Sequence, residues 1–212
     1  MSPPGRPKGE FRRAKPEGTP VSRMRRLWMK GRAMAWLVLG RPAPAMAIFD
    51  AMLERWPDDA YALASRAHQN AQRGQTQAAL RDSARLLALQ PGNAAAWFNH
   101  GYLLEACGRQ EDALEAFVRA TTADPGLDRA WYGQGLVLIR LQRHEEAVVA
   151  LKRNTELQPM SPYGWYQLAR VHVDRREPEE AVRIIRHLHG FEPRVAAQLE
   201  RETGLLVRPG AC

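Results

Sequence analysis

Residues 94–127 read AAAWFNHGYLLEACGRQEDALEAFVRATTADPGL, and this stretch decides the fold. From Ala94 to Ala106 the apolar side chains fall at three- and four-residue steps, the spacing of a helix with one buried face. Gly108 follows, a residue free to take the positive φ that ends a helix tightly. Residues 111–122 predict a second helix, with Ala113, Phe117 and Ala120 on one side, and Pro125 stops it. The stretch is therefore a pair of helices, each with an apolar face that needs a neighbour.

The same punctuation recurs outward in both directions. Pro57, Pro91, Pro125, Pro159 and Pro193 stand at a constant step of 34 residues. Trp97, Trp131 and Trp165 keep that step, with Leu63 in the equivalent earlier place. Gly40, Gly74 and Gly108 keep it too, as do Ala45, Ala79, Ala113, Ala147 and Ala181, and Phe49 shares the register of Phe117. A fixed period of this length means stacked supersecondary units. Asp59, Asn93 and Ser161 are placed to cap the next first helix, and Pro162 suits a first helical turn. Residues 128–141 predict another first helix. Small alanines allow close approach, while Trp side chains fill the space between units.

At Trp97, His100-Gly101, Leu104, Ala113, Phe117, Ala120 and Pro125 the chain resembles the tetratricopeptide repeat family, and Trp131, Gln134-Gly135, Leu138, Ala147 and Pro159 repeat the match. The resemblance implies an all-α solenoid of stacked antiparallel helix pairs, about five units over 26–59, 60–93, 94–127, 128–161 and 162–195. The first unit is degenerate, carried by Trp36, Gly40, Ala45, Phe49 and Pro57. Residues 196–212 are expected to supply a capping helix, around Leu199, Leu205 and Leu206, and a tail. The pairs are expected to wind into a right-handed superhelix with a concave face.

The formal charge of +8 sits entirely at the N-terminal end. Residues 1–32 hold ten Lys and Arg against Glu10 and Glu17, and the remainder balances. Residues 1–25 carry Pro3, Pro4, Pro7, Pro16 and Pro20 with few aliphatic groups, so a disordered basic arm is expected. From Met24, two arginines, an apolar stretch and small residues imitate a signal peptide, but Arg41 and Pro42 interrupt it and the region fits the repeat. Export is thus disfavoured and a cytoplasmic location expected. No apolar run is long enough for a membrane span. Trp28 and Met29 with nearby arginines could touch a membrane surface, yet no long lipid-facing stripe is evident in the sequence. Within the arm, Gly5, Arg6, Pro7 and Lys8 resemble an AT-hook, and Arg12 and Arg13 could add phosphate contacts. Pro4 stands where that motif has an arginine. DNA or RNA is therefore a possible second partner, and a nucleic-acid-associated regulator is the alternative function.

The family resemblance implies binding of a protein or peptide in a groove lined by first helices. The helical phase puts all five tyrosines there: Tyr61, Tyr102, Tyr132, Tyr163 and Tyr166. Phe98 joins them, with His68, Asn99, Arg129, Arg140, Gln167 and Arg170 interleaved. Tyr and Arg are the side chains that dominate binding hot spots. The family's carboxylate clamp is not reproduced. Asn99 is kept and Arg129 replaces a lysine, but Ala64, His68 and Gly133 stand where its other polar groups belong. Only Cys107 and Cys212 are present, which excludes a disulfide framework or cysteine-rich metal site. His68, His100, His144, His172, His187 and His189 show no metal spacing. Glu145-Glu146 and Glu179-Glu180 read as helix-start charges rather than catalytic pairs. The expectation is a non-enzymatic adaptor that uses the basic arm as a second contact, with no cofactor, no metal and no small-molecule ligand.

Overall fold

The computed structural model describes residues 20–207. Among these it contains eleven helices and no strand. The described residues divide into two compact units, one ending at Pro57 and the other beginning at Asp58.

In the first unit α1 (Pro20–Val38) and α2 (Pro42–Arg55) form a hairpin turned by Gly40 at φ +68°. Ala33, Ala45, Phe49 and Met52 are fully buried. Helix α1 reaches back to Pro20, so residues 20–25, which composition assigns to the arm, are helical. The proline suits a helix start, and the run that follows holds Val21, Met24, Leu27 and Trp28.

The second unit is four further pairs and a closing helix. The pairs are α3 (Ala60–Gln72) with α4 (Thr76–Leu89), α5 (Ala94–Ala106) with α6 (Gln110–Ala123), α7 (Asp128–Arg140) with α8 (His144–Leu157), and α9 (Pro162–Asp174) with α10 (Pro178–His189). Each helix packs on the next, and the first helices α5, α7 and α9 also touch in sequence. The last helix, α11 (Pro193–Thr203), starts slightly before the expected terminal helix and ends sooner. Gly204, at φ +73°, terminates it. Leu205 and Val207 still pack on the core, but Leu206 is exposed.

Two devices repeat with the period. Each tryptophan donates its indole N–H to the carbonyl of the proline six residues earlier: Trp97 to Pro91 at 2.7 Å, Trp131 to Pro125 at 3.0 Å and Trp165 to Pro159 at 2.9 Å. The ring thus ties down the turn that joins its pair to the preceding one. The second device is the left-handed residue between helices. Gly74 and Gly108 supply it, and then Gln142 (φ 58°) and Arg176 (φ 61°) adopt it without being glycine. Caps are less regular. Asp59 and Asn93 accept from the backbones of Ala62 and Ala96, whereas Ser161 makes no such bond although it stands at the cap position with Pro162 after it.

The core is built around one close fit. Phe117 of α6 is buried between α5 and α7, where Gly101 and Gly133 leave no side chain in its way. A Cβ at either glycine would lie 2.9 Å from the Phe117 ring. Leu151 fills the next such place against Gly135, and Ile185 the one after it, both fully buried.

Phe117→Ala should therefore destabilise the protein by about 3–5 kcal/mol. Gly133→Ala should cost about 1–3 kcal/mol through overpacking, both read from urea unfolding. Gln142→Gly should act the other way. Release of left-handed strain of about 1–2 kcal/mol outweighs the added chain entropy of about 0.5–1 kcal/mol.

Candidate functional site

The period also shows what is missing from one repeat. Ser83 stands 34 residues before Phe117 and has no ring to offer. Ala67 and Asn99 occupy the places of Gly101 and Gly133. All three line a cavity of about 300 Å³ enclosed by α3, α4 and α5. Buried Ala67, Leu86, Ala96 and Leu103 form its depth, and exposed Ala64, His68, Gln72, Asn99 and Tyr102 form its mouth. The space is the unfilled counterpart of the Phe117 site, and its walls are largely apolar. Ser83 instead donates to the Leu80 carbonyl at 3.0 Å and lies 2.7 Å from His100 Nδ1. Burial lowers the His100 pKa below its ordinary value, with Arg109 adding to the effect, so the neutral ring is favoured.

Three of the expected groove residues therefore meet at one cavity: His68, Asn99 and Tyr102. His68 and Gln72 also pair across its mouth at 3.1 Å. Tyr102 is 61% exposed, which leaves its ring available to a ligand.

The remaining candidates lie elsewhere, several of them engaged within the protein. Arg129 of α7 stacks over Phe98 of α5 with its guanidinium 4.7 Å from the ring centre. Arg140 of α7 is ion-paired with Glu105 of α5. Tyr132 is half-buried and packs on the core, and Tyr61 is half-buried on α3. On α9, Tyr163 is 70% exposed and Gln167 half-buried. Tyr166 donates its hydroxyl to Glu202 of α11 at 2.6 Å, and Arg170 stacks on the Tyr166 ring. These residues, with Val173, Asp174 and Thr203, line a second, more polar hollow of about 440 Å³. The hydrogen bond from Tyr166 is the main reason the Glu202 carboxyl is held below its usual range, and the same bond raises the Tyr166 hydroxyl.

Sequence reading did not single out Ala67, Ser83 and Ala96, the residues that create the first cavity. The signal was present as a serine in the phenylalanine register beside small residues. Glu105 and Glu202 were also missed, because pairing between first helices depends on their stagger.

Among the described residues no group of three or more His, Cys, Asp or Glu is placed to hold a metal, and no helix is long and apolar enough to cross a membrane. The histidines have other partners. His172 is buried with Nδ1 at 2.7 Å from Glu177, and His187 stacks between Trp165 and Phe191. The AT-hook-like residues Gly5, Arg6, Pro7, Lys8, Arg12 and Arg13 lie outside the described residues.

Comparison with known proteins agrees with this architecture. A tetratricopeptide repeat family model matches residues 66–128 and 108–153. No curated protein is significantly similar in sequence. Among solved structures, MamA from Desulfovibrio magneticus RS-1 superposes with a TM-score of 0.70 at 20% identity, covering 82% of this chain and 94% of that one. YrrB, described as a TPR protein with an unusual peptide-binding site, gives 0.71 at 18% identity over 80% and 88% of the two chains. A tetratricopeptide repeat protein of Parabacteroides merdae gives 0.73 at 21% identity, over 83% and 72%.

The Tyr166–Glu202 bond gives a direct titration test. Glu202 contributes stability above the ordinary carboxylate pKa and loses it as pH falls through its lowered folded value. Tyr166→Phe should therefore move the Glu202 pKa, followed by NMR, back up toward the ordinary value. The acid edge of stability would move with it.

Proposed function

With tetratricopeptide repeats at residues 66–153 and the fold of that family around them, we propose that the protein is a non-enzymatic adaptor. It binds an extended or helical segment of a partner protein against the first helices of its second unit. The observation that carries this reading is the cavity left by Ser83. A partner's apolar side chain enters it and occupies space that Phe117 fills for the next repeat. Tyr102 and His68 then close over the entering group, and Asn99 offers an amide to the partner backbone.

The reading is supported by the chemistry of the lining. An apolar depth with a polar mouth favours one buried anchor and directional bonds around it, which is how small pockets on protein surfaces gain specificity. Tyr163, Gln167 and Arg170 remain candidates for a second contact further along the same row of first helices. A terminal-carboxylate clamp is disfavoured, since Ala64 and Gly133 bring no charge.

The test exploits the difference between filling the cavity and breaking it. Ile185 shows that isoleucine fits this register opposite an alanine, Ala169. Ser83→Ile should therefore preserve or raise thermal stability, since added buried methyl groups are worth about 0.8 kcal/mol each. The same change should abolish capture of the partner. Tyr102→Ala, at an exposed position, should weaken capture about tenfold or more, the range of a hot-spot residue. Capture by the full chain, followed by cross-linking from position 68, checks both. Undiminished capture by both variants would remove the cavity from the interface.

A further inference from the structure

Helix α1 has two apolar faces, and only one is covered. Ala33 is fully buried, Met29, Trp36 and Leu37 are half-buried, and Met29 and Arg25 line a pocket with Ala51, Glu54 and Arg55 of α2. On the opposite side Val21, Met24, Leu27, Trp28, Met34 and Val38 recur at three- and four-residue steps. They are between 48% and 79% exposed. Gly31 and Ala35 fill the gaps, so no charged residue breaks the stripe. From Val21 to Val38 it runs about 26 Å. Single exposed apolar side chains are ordinary, but a continuous stripe of this length marks an interaction surface. An exposed apolar stripe of this length was not evident in the sequence. Trp28 belongs to it, whereas Met29 faces the other way.

Charge selects the occupant. From Pro20 to Val38 the helix carries Arg23, Arg25, Arg26, Lys30 and Arg32 and no acidic residue. At 100° per residue Arg25 and Arg32 border the stripe on one side and Arg23 on the other. The Arg32 guanidinium lies 4.4 Å from the centre of the Trp28 ring. Cations on both borders of an apolar stripe, with an aromatic ring among them, match a surface that is apolar inside and anionic at its rim. The stripe is also convex, being one side of a single helix, so it does not enclose a partner's side chain as the cavity in the second unit does.

We propose that the outer face of α1 docks in the plane of an anionic lipid surface, with Leu27 and Trp28 among the acyl chains and Arg23 and Arg32 at the headgroups. The basic side chains reach outward along their alkyl stems while the stripe sinks in.

Cosedimentation of the full chain with phosphatidylcholine–phosphatidylserine vesicles tests the assignment, with pure phosphatidylcholine vesicles alongside. Binding is expected to the mixed vesicles and to weaken as salt rises. Met24→Ser combined with Leu27→Ser changes only exposed side chains, and circular dichroism checks that helicity is kept. That double variant should bind mixed vesicles at least about tenfold more weakly, since two inserted apolar groups are lost. Arg23→Gln and Arg32→Gln should each cost about fivefold at low salt. No binding to the mixed vesicles overturns the proposal. So does binding that the double variant leaves unchanged, which would assign it to the basic residues preceding α1. Sedimentation showing a dimer of the parent chain that the double variant dissociates also overturns it, giving the stripe to a second copy. Capture of duplex DNA in place of vesicles does the same.

Discussion

The packing of Phe117 against two glycines is the constraint on which the second unit depends. A ring can enter between consecutive first helices only where both backbones come close enough to touch it, and Gly101 and Gly133 permit that approach. The two helices are then held at a separation set by the ring rather than by their own side chains. Leu151 and Ile185 continue the arrangement with smaller groups, so the spacing between pairs is adjusted residue by residue along the array. Glycine costs helix stability, and its presence twice in this register shows close packing outweighing propensity.

Where the wedge is absent, the same geometry leaves an open cavity. Ser83 cannot fill the gap, and its hydroxyl is instead engaged with Leu80 and His100. Ala67 and Asn99 replace the glycines, so part of the volume is taken by their side chains and part stays open. A cavity of this origin is preformed, because the neighbouring repeats hold its walls whether or not anything occupies it. A side chain entering such a space would require little further ordering of its walls.

The architecture was legible in the sequence because its signals are local and periodic. Proline, tryptophan and alanine at a step of 34 residues gave the pairs, and the helix over Ala94–Ala106 is found where its apolar spacing placed it. Three things were not legible. Gln142 and Arg176 take a left-handed backbone that only their place in the period would suggest. The pairings of Arg129 with Phe98 and Arg140 with Glu105 join adjacent first helices, and that of Tyr166 with Glu202 joins α9 to the closing helix, none of which helical phase alone can align. The exposed stripe of α1 escaped notice because apolar residues cover both of its sides, and the covered side cannot be told from the open one without the partner helix.

The indole hydrogen bonds have a consequence for how the array comes apart. Trp97, Trp131 and Trp165 each sense one junction, since each N–H is tied to the turn entering its own pair. A chain of linked pairs behaves as a one-dimensional lattice, in which ends loosen before the middle and neighbouring sites switch together. Replacing two of these three indoles by phenylalanine, together with Trp28, Trp36 and Trp56, would leave a single optical reporter on a chosen junction. A set of three such proteins would show whether loss of order travels along the chain as a moving boundary or takes the whole array in one step.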